Sequence, residues 1–157
     1  MSEKLKFKIG LSGTYWDKRP NYTVSISGKE YAAGTISGES DAVEFIEFTA
    51  DLGDGGTHSL EISLLNKEDS DIKKDDYTDP DNYKIIGDML LNVESIEIDD
   101  IDLGMLRYSK GVYKLKTPQV SKDGIVKELP NCVNLGWNGT YTIDFTTPFY
   151  IWLLESL

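Results

Sequence analysis

Apolar residues in this chain recur at every second position and almost nowhere at the spacing of a helix. Leu5, Phe7, Ile9 and Leu11 fall on one side of the stretch from Lys4 to Leu11. Thr23 to Ser27, Ser59 to Leu65, Leu91 to Ile98 and Thr140 to Phe145 repeat the alternation. Successive side chains of an extended backbone point to opposite faces, so this pattern makes one apolar and one polar face, as in a half-buried strand. Turn signals stand between the runs: Gly28-Lys29, the cluster Asp51 to Gly56, Lys122-Asp123-Gly124 and Gly136-Trp137-Asn138-Gly139. Glycine supplies positive φ in such turns and Asp bonds its own backbone. Within Ala42 to Ala50, the run Phe45-Ile46-Glu47-Phe48 reads as a register change or bulge. Gly104 to Leu115 reads as strand pattern broken by a hairpin turn at Ser109-Lys110-Gly111. No window of a dozen residues carries a capped apolar stripe of helical period, though a short helical turn fits the acidic loop or the C-terminus. Many short strands with turns between them predict an all-β fold, an antiparallel β-sandwich of the jelly-roll kind.

A chain of 157 residues without a dividing linker or a fixed-period repeat is expected to form one domain. Such a domain buries roughly two thirds of its unfolded surface and needs no staples. There is no apolar run of about 20 residues, which argues against a membrane span. The charged start, Met1 to Lys6, leads directly into strand pattern, so no signal peptide is expected. Cys132 is the single cysteine, which excludes an internal disulfide and fits a reducing cytoplasm. The formal net charge of −11 argues against nucleic acid, whose phosphates need clustered Lys and Arg. It suits divalent cations, neutral sugars or protein partners, and equally a purely solubilising surface.

The oxygen ligands concentrate in a long acidic loop over residues 66–88, which holds Glu68, Asp69, Asp71, Asp75, Asp76, Asp79, Asp81 and Asp88, with Glu94 on the strand beyond. Calcium takes six to eight oxygens, and loops between strands supply them. The spacing fits no EF-hand, and Lys67, Lys73, Lys74 and Lys84 partly neutralise the stretch, so a solvated loop is the alternative. Tyr15 and Trp16 flank a polar loop, and Tyr77 and Tyr83 lie within the acidic one. A flat aromatic face beside carboxylates and amides is what a sugar ring needs, whereas Trp16 could equally staple a loop. His58 stands alone, which disfavours a zinc site. Cys132 has no nucleophile motif around it, and phosphate-binding glycine loops are missing, so a non-catalytic protein is expected. Phe149, Tyr150, Trp152 and Leu153 close the chain as a final core segment or as an interface for a partner.

From Gly56 to Asp99 the chain resembles the calcium-dependent, xylan-binding carbohydrate-binding modules. His58 to Asn66 is similar to the family's His-initiated strand ending in an Asn-Asp pair, and Gly87-Asp88-Met89-Leu90-Leu91-Asn92-Val93-Glu94 to its Gly-Asp-Arg-Asn strand. Tyr22 to Lys29 is similar to its edge strand. The resemblance implies a β-sandwich with a calcium ion held by Asn66, Asp88, Glu94 and Asp69, and a stacking platform at Tyr15, Trp16 or one of the loop tyrosines, Tyr77 and Tyr83. Asp69 takes the role of the pair's Asp, because Lys67 stands in that place. Met89-Leu90 replace Arg-Asn, and the intervening loop is longer. The ending, Gly136 to Phe145 and Pro148 to Glu155, resembles small structural proteins of tailed marine bacteriophages. That likeness implies a non-catalytic virion structural or decoration protein, made in the bacterial cytoplasm. Its partners would be capsid or tail proteins or itself, with adhesion to surface glycans as a second role. A working calcium-dependent sugar binder is the alternative.

Overall fold

The structure, a computed structural model, describes residues 3–53 and 55–157; Asp54 of the expected turn cluster, with Met1 and Ser2, lies outside them. In chain order the strands are β1 (Lys4–Thr14), β2 (Asn21–Ile26), β3 (Lys29–Thr35), β4 (Glu44–Asp51), β5 (Gly56–Leu64), β6 (Lys73–Lys74), β7 (Ile85–Gly87), β8 (Leu90–Ile98) and β9 (Ile101–Asp102), then β10 (Gly111–Ser121), β11 (Gly124–Pro130), β12 (Asn134–Leu135) and β13 (Gly139–Thr147). Two helices, α1 (Leu106–Ser109) and α2 (Phe149–Ser156), complete it. One sheet runs β12-β8-β1-β4 with β9 beside β8, and the other β11-β10-β13-β5-β2-β3. All of these pairings are antiparallel. With 56% strand against 10% helix, the fold is the expected all-β sandwich.

The alternation in the sequence becomes the core. Leu5, Phe7, Ile9 and Leu11 of β1 are buried, as are Leu60, Ile62 and Leu64 of β5 and Tyr141, Ile143 and Phe145 of β13. The Phe7 and Phe145 rings meet between the two sheets with centroids 6.2 Å apart. Each side chain of this size stabilises the fold by about 1.5–3 kcal/mol relative to exposure.

A bulge exists, but not where Phe45 to Phe48 suggested. The β1–β4 register is unbroken from Lys4 opposite Asp51 to Leu11 opposite Glu44. Ile46 and Phe48 face the core, and Phe48 stacks between Phe7 and Tyr31, whereas Phe45 is exposed under the Lys8 ammonium. In this sheet the slip lies in β8. Gly10 pairs with Ser95 and Leu11 with Val93, which leaves Glu94 as the extra residue. The buried set shifts accordingly from Leu91 and Val93 to Ile96 and Ile98.

The stretch expected to be a strand from Gly104 is instead the helical turn α1, which buries Leu106. Ser109 and Lys110 donate back to Met105 and Leu106, so Ser109-Lys110-Gly111 is a helix end and not a hairpin turn. Edge strands β3 and β11 carry few buried residues, and the alternation that would have marked them is weak.

The C-terminus is also helical. Phe149 and Trp152, three apart on α2, are buried and pack with Phe145. The Phe149 amide donates to Glu3 at 3.0 Å. Of the residues expected at a partner interface, Phe149 and Trp152 are therefore core and Leu153 is partly buried against it; Tyr150 is exposed. No helix among the described residues is long and apolar enough to cross a membrane.

Candidate functional site

The end of β5 carries the residues that organise one end of the sandwich. Asn66 uses both ends of its amide on backbone: Oδ1 accepts from the Asn21 amide at 2.7 Å and Nδ2 donates to the Arg19 carbonyl at 3.0 Å. Asn138 clamps Lys67 in the same way, accepting from its amide at 2.7 Å and donating to its carbonyl at 2.9 Å. The Lys67 side chain turns inward and is 6% exposed. Its ammonium contacts the Asp88 carboxylate and donates to the Met89 carbonyl at 2.6 Å. A buried ammonium is costly unless paired and hydrogen-bonded, and this one is both.

The acidic insertion then folds back on itself. A short 3-10 turn, Asp69–Asp71, follows, and the buried carboxylate of Asp71 accepts from the Glu68 amide at 2.7 Å. Lys18 reaches the same carboxylate at 2.9 Å, with Glu68 at 3.7 Å. The hydrogen bond to Asp71 and the charges of both carboxylates hold the Lys18 ammonium above its ordinary pKa, against the opposing effect of burial. The Trp16 indole donates to the Asp71 carbonyl at 2.8 Å. A Cβ on Gly87 would lie 2.8 Å from the Trp16 ring, and Lys73 sits over that ring at 5.3 Å. Trp16 thus ties the insertion to the sandwich through its indole N–H, while 45% of the residue stays exposed.

Beyond it, β6 and β7 form a small hairpin whose tip is shaped by its own carboxylates. Asp76 accepts from Thr78, Asp79 from Asp81 and Asn82, and Asp75 from Lys84. The Thr78 hydroxyl and amide hold Asp76 below the usual carboxylate range. Tyr77 is exposed, and its hydroxyl accepts from the Lys74 amide; Tyr83 is covered by the Lys74 ammonium at 4.2 Å. Tyr15 packs against the core, with its hydroxyl on the Gly38 carbonyl and Arg19 over its ring.

The four residues implied as calcium ligands do not converge. Asn66 is spent on backbone, Asp88 on Lys67 and the Met89 amide, and the bulged Glu94 on the Ser12 hydroxyl at 2.7 Å. Among the described residues no three His, Cys, Asp or Glu side chains are grouped so as to hold a metal. The ammonium of Lys67 already meets the central carboxylate, so this set of residues does not fit a calcium ion.

What the fold does bring together is a cleft of about 240 Å³ between the start of the insertion and the segment ahead of β13. Its lining includes Lys67, Glu68, Asp69 and Ile72 from the start of the insertion, Trp137 and Asn138 ahead of β13, and Thr117 and Gln119 of β10. Trp137 is 42% exposed, while its backbone amide is held by the buried Tyr113 hydroxyl at 3.2 Å. An open indole between carboxylates, an amide and a hydroxyl can stack on the apolar face of a sugar and accept from its hydroxyls. A wider depression of about 370 Å³ on the outer face of the second sheet is lined by Glu61, Ser63, Lys114, Thr140 and Thr142. No aromatic ring lines it, and Ser63 and Thr140 satisfy each other at 2.8 Å.

Trp137 and Asn138 were legible only as a turn, Gly136 to Gly139. The signal that could have found them is a tryptophan between two glycines, where a core position is unfavourable. The two groups weighed for chemistry elsewhere are structural: His58 meets the Thr147 hydroxyl at 3.3 Å and the Phe145 ring. Burial pushes the Cys132 thiol above its ordinary pKa, away from the reactive thiolate.

No protein-family model matches the chain, and no curated protein matches its sequence. Two solved structures share its fold. The first is vCBM60 in complex with galactobiose, with a TM-score of 0.53 and 11% identity, covering 88% of this chain and 96% of that one. The second is a selenomethionine form of vCBM60, with a TM-score of 0.52 and 11% identity, covering 88% and 89%. It is described as part of an evolutionary link, by circular permutation, between two families of calcium-dependent carbohydrate binding modules. At this identity the likeness is one of fold.

Proposed function

We propose that this protein is a non-catalytic glycan-binding protein that holds a neutral sugar in the cleft between Asp69 and Trp137. The carrying observation is that the exposed Trp137 lines one open polar cleft together with Glu68 and Asp69. The sandwich fold shared with vCBM60, a structure in complex with galactobiose, supports the same reading. Stacking supplies the apolar part of the binding, and the carboxylates orient the ring by accepting from adjacent hydroxyls. Calorimetric titration with galactobiose and with xylan oligosaccharides tests it. Heat of binding is expected from at least one of them, with Trp137→Ala lowering affinity at least about tenfold, or 1.4 kcal/mol, at unchanged melting temperature. Blank titrations across neutral oligosaccharides would remove the reading.

A role as a virion structural or decoration protein is the second reading. It is favoured by α2, whose Tyr150, Ile151 and Leu154 are exposed, as is Leu157 after it. Large exposed apolar residues grouped on one element suit contact with a capsid or tail protein or with a second copy. Sedimentation of the chain alone and its detection in purified particles test this. A monomer at all concentrations, with no particle association, argues against it.

A further inference from the structure

We infer that the Lys67 ammonium is a resident cation of this fold, standing where a divalent ion would otherwise balance Asp88, and that the protein's stability is indifferent to calcium. The position is built for a cation. Lys67 follows β5, Asp88 and Met89 precede β8, and Asn138 precedes β13, so two distant segments meet Lys67, one at its side chain and one at its backbone. The contacts to the ammonium are a carboxylate oxygen and a backbone carbonyl, the oxygen types that hard cations take. Asp88 is otherwise met by the Met89 amide at 2.7 Å, a donor that fixes the carboxylate with one oxygen toward Lys67.

The ammonium cannot swing away cheaply. Its side chain is 6% exposed, and the backbone that carries it is held from both sides by Asn138. A divalent ion beside Asp88 would sit in Coulomb repulsion with this fixed charge at short range and low solvent exposure. The Glu94 carboxylate, on the bulge of β8, is held by the Ser12 hydroxyl. The inference concerns folding and metal, so it stands or falls apart from glycan binding.

The test is the melting temperature of the full chain in excess calcium chloride and in EDTA, with elemental analysis of the dialysed protein. Wild type is expected to melt at the same temperature in both and to retain no stoichiometric calcium. A wild-type melting temperature that rises in calcium, or bound calcium after dialysis, overturns the inference. Lys67→Met, which keeps the length and removes the charge, is expected to melt several degrees lower in both conditions; an unchanged melting temperature overturns the tying role. Lys67→Asp puts a second carboxylate beside Asp88 and is expected to melt lower than wild type in EDTA and to recover in calcium, because an ion that binds only the folded state stabilises it. If that variant is unfolded in EDTA, calcium-dependent refolding followed by circular dichroism reads the same property. Indifference to calcium in Lys67→Asp, folded or unfolded, overturns the placement of the cation.

Discussion

The side-chain amide of Asn138 closes a ring of two hydrogen bonds with the backbone of Lys67, accepting at 2.7 Å and donating at 2.9 Å across 71 residues of sequence. This ring joins the acidic insertion to the segment carrying Trp137, so it sets the width of the cleft. Asn138→Ala leaves a partly buried amide and carbonyl unpaired, which costs about 1–3 kcal/mol. Asn138→Asp retains the acceptor but turns a charged carboxylate oxygen on the Lys67 carbonyl where the donor stood, so its cost should be larger. Urea denaturation of both variants ranks them. Equal losses, or none, would mean that water replaces the ring and that the cleft is not held by it.

Trp16 and Asp71 give a second prediction. The indole donates to the Asp71 carbonyl, while the Asp71 carboxylate is buried and paired to Lys18. Trp16→Phe should loosen the insertion without unfolding the sandwich. Hydrogen exchange over residues 66–88 should accelerate while β1, β5 and β13 stay protected, as expected of a locally cooperative unit. Lys18→Met should do more, because it strands a buried carboxylate. Its raised pKa fixes the direction with pH: the Lys18 contribution is complete below the ordinary lysine value of about 10.4 and fades as pH rises through the higher folded value. Uniform exchange across the chain in Trp16→Phe would contradict the pinning role.

How much of this was legible before the structure depends on the range of the interaction. Leu5 to Leu11, Ser59 to Leu65 and Thr140 to Phe145 announce their strands because alternation is a local property of the backbone. Leu106 and Tyr108 alternate too, but a single helical turn buries Leu106 equally well, and two apolar residues cannot separate the cases. Phe149 and Trp152 sit three apart in an almost wholly apolar run, so helical period has no polar face against which to show. The site divides the same way. Charge density drew attention to Asp69 and Asp88 and the resemblance added Asn66; of these, Asp88 meets the resident Lys67. Which partner each takes is a long-range choice: Asn66 to the Arg19–Asn21 segment, Asp88 to Lys67, Glu94 to Ser12 through a bulge visible only as the shift from Val93 to Ile96.

Gly139 supplies a third prediction. It opens β13 beside the cleft, and a Cβ there would lie 2.4 Å from the Lys114 carbonyl oxygen and 3.0 Å from the Tyr113 ring. Both neighbours belong to β10, which pairs with β13 from Gly111 opposite Ile143 to Leu115 opposite Gly139. Gly139→Ala must therefore push backbone against backbone and should cost about 1–3 kcal/mol, the range for overpacking a tight site. Gly53, where nothing lies within 4 Å but φ is +75°, is the control: Gly53→Ala is opposed by backbone conformation alone. Thermal denaturation compares the two, and a milder effect at Gly139 than at Gly53 would contradict the close approach of the strands.

Tyrosine ionisation offers the last prediction. The chain has nine tyrosines. Tyr113 and Tyr141 are fully buried, and burial drives both hydroxyls well above the ordinary value because a phenolate would be stripped of water there. The Trp137 amide bonded to Tyr113 and the charge of Arg107 near Tyr141 oppose this without cancelling it. Since the folded values are raised, the neutral forms stabilise the fold fully below about pH 10 and lose that contribution as pH climbs above it. Absorbance titration should therefore show the buried pair, Tyr113 and Tyr141, ionising only as the near-ultraviolet circular dichroism collapses. Tyr113→Phe removes one of the late groups and also the acceptor for the Trp137 amide. The variant should lose about 0.5–1.5 kcal/mol at neutral pH and should lower glycan affinity through a less firmly held indole. Ionisation of all the tyrosines in one step, with the fold intact, would show that the two hydroxyls reach water.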